Sequence, residues 1–159
     1  MAQPWYWTRI PRVGAGPVVK QIEEEGCGPA CGEMLLRDRG EEHTQEEIAR
    51  GLLLPADGHR LAARMTAIST RKWLGGGIHL PSEPRRHHVE AISAARGTWA
   101  DLLEPEGPGH VGHWVVIDGA TSEGVVLVRD PVGSAYGMLI DEFLRLWSYA
   151  VLVTEDIHR

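Results

Sequence analysis

Two cysteines are all that this chain of 159 residues carries. That is too few for a disulfide scaffold. Cys27 and Cys31 lie four apart at a predicted helix start, poor geometry for bridging each other. The expectation is therefore free thiols and a reducing cytosol as the site of action. No apolar run approaches the roughly 18 residues of a transmembrane helix, which argues against a membrane partner. The stretch from Met1 to Trp7 has no basic region followed by an apolar one, so it does not read as a signal peptide. Runs of lysine and arginine are missing as well. Arg85-Arg86 is a pair rather than a patch, and the net charge is −6. Nucleic acid is excluded as a main partner on that ground. There are no internal repeats and no low-complexity linker. Gly75-Gly76-Gly77 is not followed by Lys-Ser or Lys-Thr, so it reads as a flexible turn and not a phosphate loop.

What is there is the composition of a soluble globular protein, with 43% hydrophobic and 24% charged residues. Its length suits one domain, residues 1–159, with a sizeable core. Trp5 to Trp7 is expected to pack on the body, and Pro17 to Gln21 to be extended. Gly26 to Arg39 predicts a helix with Ala30, Met34 and Leu35 as its apolar stripe. Pro29 is tolerated in the first turn, and Gly40 stops the helix. Thr44 to Glu47 is a capping box opening a second helix through Leu53. Asp57 caps a third, reaching about Thr70. The second half changes character. Val111 to Asp118 and Val125 to Asp130 are β-branched and read as strands, with Gly119 to Gly124 as their hairpin loop. Asp141 to Trp147 predicts a short helix, and Tyr149 to Thr154 a last strand. Between Ser82 and Glu104, Val89 to Ala95 looks helical, while Thr98 to Leu103 fits either state. Helices first and an antiparallel sheet afterwards give an α+β class.

Four residues carry candidate chemistry: Gln21, Cys27, His113 and Asp130. A thiol attacks as its thiolate, which a helix N-terminus and a neighbouring imidazole both favour. Cys27 opens the predicted first helix, and glycines on either side leave room for a substrate backbone. Its own N–H points where an oxyanion would form, and the Gln21 amide is a candidate second donor. His113 starts an apolar strand, so its ring would be held rigidly. Asp130 ends the following strand, and a hairpin can bring those two positions together. Asp118 is the alternative acid for orienting the imidazole, and His110 the competing base. A His110–His113 metal pair lacks a third ligand nearby, so no metal and no organic cofactor is expected. Cys31, one turn after Cys27, reads as a small core residue. Glu23 to Glu25 reads as a solvated run beside the nucleophile.

Gln21, then Gly26 to Cys31, then His113 to Val116, then Asp130-Pro131 resemble the C39-like branch of papain-like cysteine peptidases. The resemblance spans nearly the whole predicted core. It implies a papain-like fold, with a nucleophile helix packed on a C-terminal antiparallel sheet. It implies oxyanion donor, nucleophile, general base and orienting acid for Gln21, Cys27, His113 and Asp130. Many members carry an acidic residue directly before the nucleophile, where this chain has Gly26. C39 domains proper are fused to a peptide exporter and cut leader peptides after a double glycine. No membrane segment follows here, so the resemblance points instead to a free-standing peptidase or a bacterial effector or toxin domain delivered into a target cell. Its substrate would be a cytosolic protein or peptide, and a delivered toxin would have a cognate immunity protein. The alternatives are leader processing, deamidation or acyl transfer by the same residues, and a non-catalytic peptide-binding domain.

Overall fold

The computed structural model describes residues 7–12, 16–77, 99–103 and 112–153. Seven strands are described: β1 (Ile10–Pro11), β2 (Trp73–Gly77), β3 (Trp99–Leu103), β4 (His113–Ala120), β5 (Val125–Asp130), β6 (Ser134–Leu139) and β7 (Trp147–Val153). They form an antiparallel sheet in the order β1-β6-β5-β4-β3-β7-β2. Three helices precede most of it: α1 (Cys27–Asp38), α2 (Gln45–Ala49) and α3 (Gly58–Ile68). A fourth, α4 (Ile140–Leu146), lies between β6 and β7. The class is α+β, with α1 packed on β4.

Side-chain alternation divides the core into two layers. Trp114 and Val116 of β4 point into one cluster with Met34, Leu35, Ile48, Leu61 and Met65 of the helices. Val115 and Ile117 point into the other, with Val128 of β5, Phe143 of α4 and Trp7. Helix α1 is buried from Cys27 through Leu36, so it is central rather than amphipathic at the surface. Gly40 ends it with φ +78°, a conformation glycine adopts without cost. Thr44 and Asp57 cap α2 and α3 by accepting from the Glu47 and Arg60 amides.

Several expectations are corrected. Gly75 to Gly77 is not a turn but belongs to β2, paired along β7. The glycine is there because a Cβ on Gly75 would lie 2.6 Å from the Tyr149 hydroxyl oxygen. Helix α2 stops at Ala49, well short of Leu53, and the Leu52 amide turns back to the Ala49 carbonyl. The hairpin is tighter than Gly119 to Gly124, because β4 continues to Ala120 through an irregularity at Gly119, φ +94°. Strand β6 and the two-residue β1 were not foreseen, and β1 and β2 bring the first half of the chain into the sheet. Trp99 to Leu103 is a strand. Trp7 packs on the body as expected, whereas Trp5 and the helix expected over Val89 to Ala95 lie outside the described residues.

Candidate active site

Cys27 is the first residue of α1. Gly26, the residue before it, has no side chain to cap the helix, and no carboxylate stands in the first turn. The amides of that turn therefore keep their positive end for a negative sulfur or oxygen. Pro29 contributes no N–H, so Cys27 and Gly28 are the donors nearest the thiol. Gly28 does not make room for substrate as expected. A Cβ there would lie 3.2 Å from the Ala56 side chain and 3.5 Å from the Trp114 ring, so Gly28 lets the core close under the helix tip.

The turn before Cys27 is clamped from both sides. The Gln21 amide N–H donates to the Pro131 carbonyl at 2.7 Å, tying this segment to the end of β5. The Gln21 side-chain amide donates to the carbonyls of Glu23 at 2.8 Å and Glu24 at 2.9 Å. Gln45 adds a second clamp: its Oε1 accepts from the Ile22 amide at 3.0 Å, and its Nε2 donates to the Lys20 carbonyl at 2.8 Å. The side chains of Glu23 to Glu25 are exposed, as a solvated run should be.

His113 begins β4 and is only 2% exposed. Val116 pairs with Arg129 across β4 and β5. One step along, Asp130 stands opposite Val115, two residues from His113 on the same face of the sheet. That diagonal is within reach of two long polar side chains. His113 Nε2–H donates to Asp130 Oδ1 at 2.7 Å. The other ring nitrogen is left for Cys27, whose side chain is also hydrogen-bonded to the ring. Burial disfavours the imidazolium, but the bonds and charges of Asp130 and Cys27 outweigh it and raise His113 from 6.5 to about 9. Asp130 is fully buried, and burial opposes its charge. Bonds from His113, Tyr136 and the Val132 amide nonetheless hold it below the usual carboxylate range.

Asp118 is engaged elsewhere. It binds Arg129 and Arg12, and Arg129 also holds Asp38 at the end of α1. Cys31 is fully buried, and burial pushes its thiol well up. Both cysteines are free. His110 lies outside the described residues. Among the described residues no three of His, Cys, Asp and Glu gather as a metal site would require, and no helix is long and apolar enough to cross a membrane. Two contributors escaped the sequence reading. Gln45 sits inside a capping box whose helical role hid its reach, and Tyr136 lies on the unforeseen β6.

A thiol at a helix tip thus stands against an imidazole–carboxylate pair. The model of the Peptidase_C39 like family matches residues 15–151. The chain belongs to that family. That family is one of papain-like cysteine peptidases. Among curated proteins, Cysteine protease effector 1 of Escherichia coli O1:K1:H7 is 35% identical over 143 residues, 89% of this chain. This chain spans only 27% of that protein. Among solved structures, the peptidase domain of Streptococcus ComA, a bi-functional ABC transporter in a quorum-sensing pathway, superposes with TM-score 0.66 at 13% identity. The match covers 86% of this chain and 96% of that domain. A double-glycine-motif protease from an AMS/PCAT transporter, solved with its leader peptide, gives TM-score 0.65 at 15% identity, covering 91% and 96%. At such identities the likeness establishes the fold alone.

Proposed function

We propose that this C39-like domain is a cysteine endopeptidase in which Cys27 is the nucleophile, His113 the general base and acid, and Asp130 the residue that orients His113. The observation that carries this reading is His113 held between Asp130 and Cys27 with its charged form favoured. An imidazolium beside a thiol is the partner that a thiolate nucleophile needs. The thiolate attacks the substrate carbonyl, His113 hands its proton to the leaving amine, and water then hydrolyses the acyl-enzyme. The backbone N–H of Cys27 is the first oxyanion donor. Gln21 is the second, which requires its amide to release the Glu23 or Glu24 carbonyl as substrate arrives.

The matching protein is named an effector, and this chain corresponds to about a quarter of its length. On that basis the domain is the catalytic portion of an effector that cleaves a protein in the cytosol of the cell it enters. A cognate immunity protein covering the cleft is the matching partner. The test maps new protein N-termini in cells briefly expressing the wild type or Cys27→Ala. Sites present only with the wild type support selective proteolysis and name the target. A Cys27-dependent growth defect without new termini sinks proteolysis in favour of deamidation or acyl transfer. Identical behaviour of the two proteins refutes catalysis altogether.

A further inference from the structure

The line of polar side chains that begins at His113 does not stop at Asp130. Asp130 pairs with Ser134 across β5 and β6, and Tyr136 lies two residues on, on the same face. The diagonal step from β4 to β5 is thus repeated from β5 to β6. The Tyr136 hydroxyl donates to Asp130 Oδ2 at 2.6 Å, the carboxylate oxygen that His113 does not use. Tyr136 also pairs with Pro11 of β1, which carries the N-terminal segment over the same face. There the Trp7 indole N–H donates to the Tyr136 hydroxyl at 3.0 Å. The Trp7 ring lies nearly parallel to the His113 ring, at 25° with centroids 6.4 Å apart, an offset stack. Trp7 therefore touches both ends of the row, His113 by its face and Tyr136 by its N–H. The segment is pinned on either side by the Thr8 amide on Glu142 at 2.8 Å and by Arg12 on Asp118. Trp7 precedes the family-matched residues 15–151.

We infer that Tyr136 and Trp7 are positioning residues of the Cys27–His113–Asp130 site, and that the N-terminal strap from Trp7 to Arg12 completes it. This rests on the catalytic reading above and adds two residues to it. Tyr136 fixes the rotation of the Asp130 carboxylate by occupying the oxygen that His113 leaves, so Oδ1 stays aimed at the imidazole. Trp7 fixes the rotation of Tyr136 by filling one of its acceptor positions, which leaves the hydroxyl proton no better target than Asp130. Its ring covers one face of His113 and excludes water from the ion pair. Burial and the Asp130 charge raise the Tyr136 phenol, so it remains a donor throughout the working range. Arg9 sits over the Tyr136 ring, 5.4 Å from its centre, and the buried Cys31 thiol feels the charges of Asp130, Arg129 and Asp101. Cys31 stays a neutral thiol and Asp130 stays ionised, so Cys27 is the thiol partner of His113.

The test needs no substrate. Alkylation of Cys27 by iodoacetamide is followed by intact mass at pH 5 and pH 9.5, on wild type, Tyr136→Phe, Trp7→Phe and Asp130→Asn. Cys31 is fully buried, and Cys27→Ala identifies the adduct. At pH 9.5 any exposed thiolate reacts, whereas at pH 5 only an ion-paired one does. The ratio of the two rates therefore reads the site, because a fold weakened without mispositioning scales both rates together. Thermal melts establish that each variant is folded. Tyr136→Phe should lower the ratio about tenfold, the size expected on losing a hydrogen bond to a charged group. Trp7→Phe keeps a ring over His113 but loses the N–H, and should lower it about threefold. A wild-type ratio in both folded variants overturns the assignment of Tyr136 and Trp7. A low wild-type ratio that Asp130→Asn leaves unchanged overturns the catalytic reading itself, and this assignment with it.

Discussion

Asp130→Asn is the sharpest perturbation of the site. The carboxylate accepts three hydrogen bonds, from His113 Nε2 at 2.7 Å, Tyr136 Oη at 2.6 Å and the Val132 amide at 3.0 Å. Asparagine has the same shape but only one accepting oxygen. Held at Oδ1, that oxygen still serves His113 and Val132. The amide nitrogen then faces the Tyr136 hydroxyl, which already accepts from Trp7. Tyr136 must accept twice and leave its own proton buried without a partner. More important, the charge opposite His113 disappears. The rise of His113 from 6.5 to about 9 corresponds to about 3 kcal/mol in favour of the imidazolium. Without Asp130, burial becomes the dominant influence and the ring is neutral at pH 7. Some of the loss is offset by Cys27, so about 2 to 3 kcal/mol of ion-pair stabilisation is expected to go. That is a fall of about 10² in the neutral-pH rate. The assay is the pH dependence of kcat/KM on a mapped cleavage peptide, or of Cys27 alkylation. The wild type should lose reactivity of the ion-paired form as pH rises through about 9, and Asp130→Asn should move that limb below 7. An unmoved limb near 9 in a folded Asp130→Asn protein would refute the reasoning.

The same pair predicts how stability varies with pH. His113 is raised in the fold, so its contribution is complete below its ordinary 6.5 and is lost as pH climbs through about 9. Asp130 is lowered, so its contribution is present above 3.8 and is lost as pH falls below that. Urea midpoints should therefore be highest between about pH 4 and 6.5, and the decline between 6.5 and about 9 should vanish in His113→Gln, leaving the steeper alkaline loss that the raised Cys31 and Tyr136 cause. Arg129 is 2% exposed and bridges Asp38 and Asp118, so Arg129→Met removes the cation that two half-buried carboxylates share and leaves Arg12 on Asp118. It should cost about 3–5 kcal/mol by denaturant titration, and a loss under 1 kcal/mol would count against the bridge. Gly75→Ala places a methyl 2.6 Å from the Tyr149 hydroxyl oxygen and should cost about 1–3 kcal/mol. In a Tyr149→Ala background that cost should disappear; if it persists, the glycine answers to something other than the tyrosine.

How far the molecule can be read from its residues depends on whether the physics is local. The start of α1 is local: Pro29 can stand only in a first turn, and Gly40 marks the stop, so Cys27 at a helix tip was visible in the chain. Thr44 and Asp57 announced their helices because capping involves residues three apart. The strands carrying His113 and Asp130 showed their β-branched pattern, and a short hairpin leaves few registers for them. Gly75 to Gly77 misled for the opposite reason. Three glycines signal a turn locally, and only pairing with β7, more than seventy residues away, makes them a strand, with Gly75 lying against Tyr149. Gly28 looked like room for substrate and proved to be room for Ala56 and Trp114.

The sequence by itself determined the chemical inventory, namely a thiol at a helix start with an imidazole and a carboxylate on neighbouring strands. Order along the chain and hairpin geometry suffice for that. Only the tertiary structure decided which groups hold one another. Asp118 is nearer to His113 along the chain than Asp130 is, but its place in the sheet gives it to Arg129 and Arg12. Tyr136 and Trp7 meet because β6 and the segment leading into β1 lie on the same face, although the two residues are 129 apart along the chain. A diagonal across sheet neighbours depends on strand order, which no run of adjacent residues encodes.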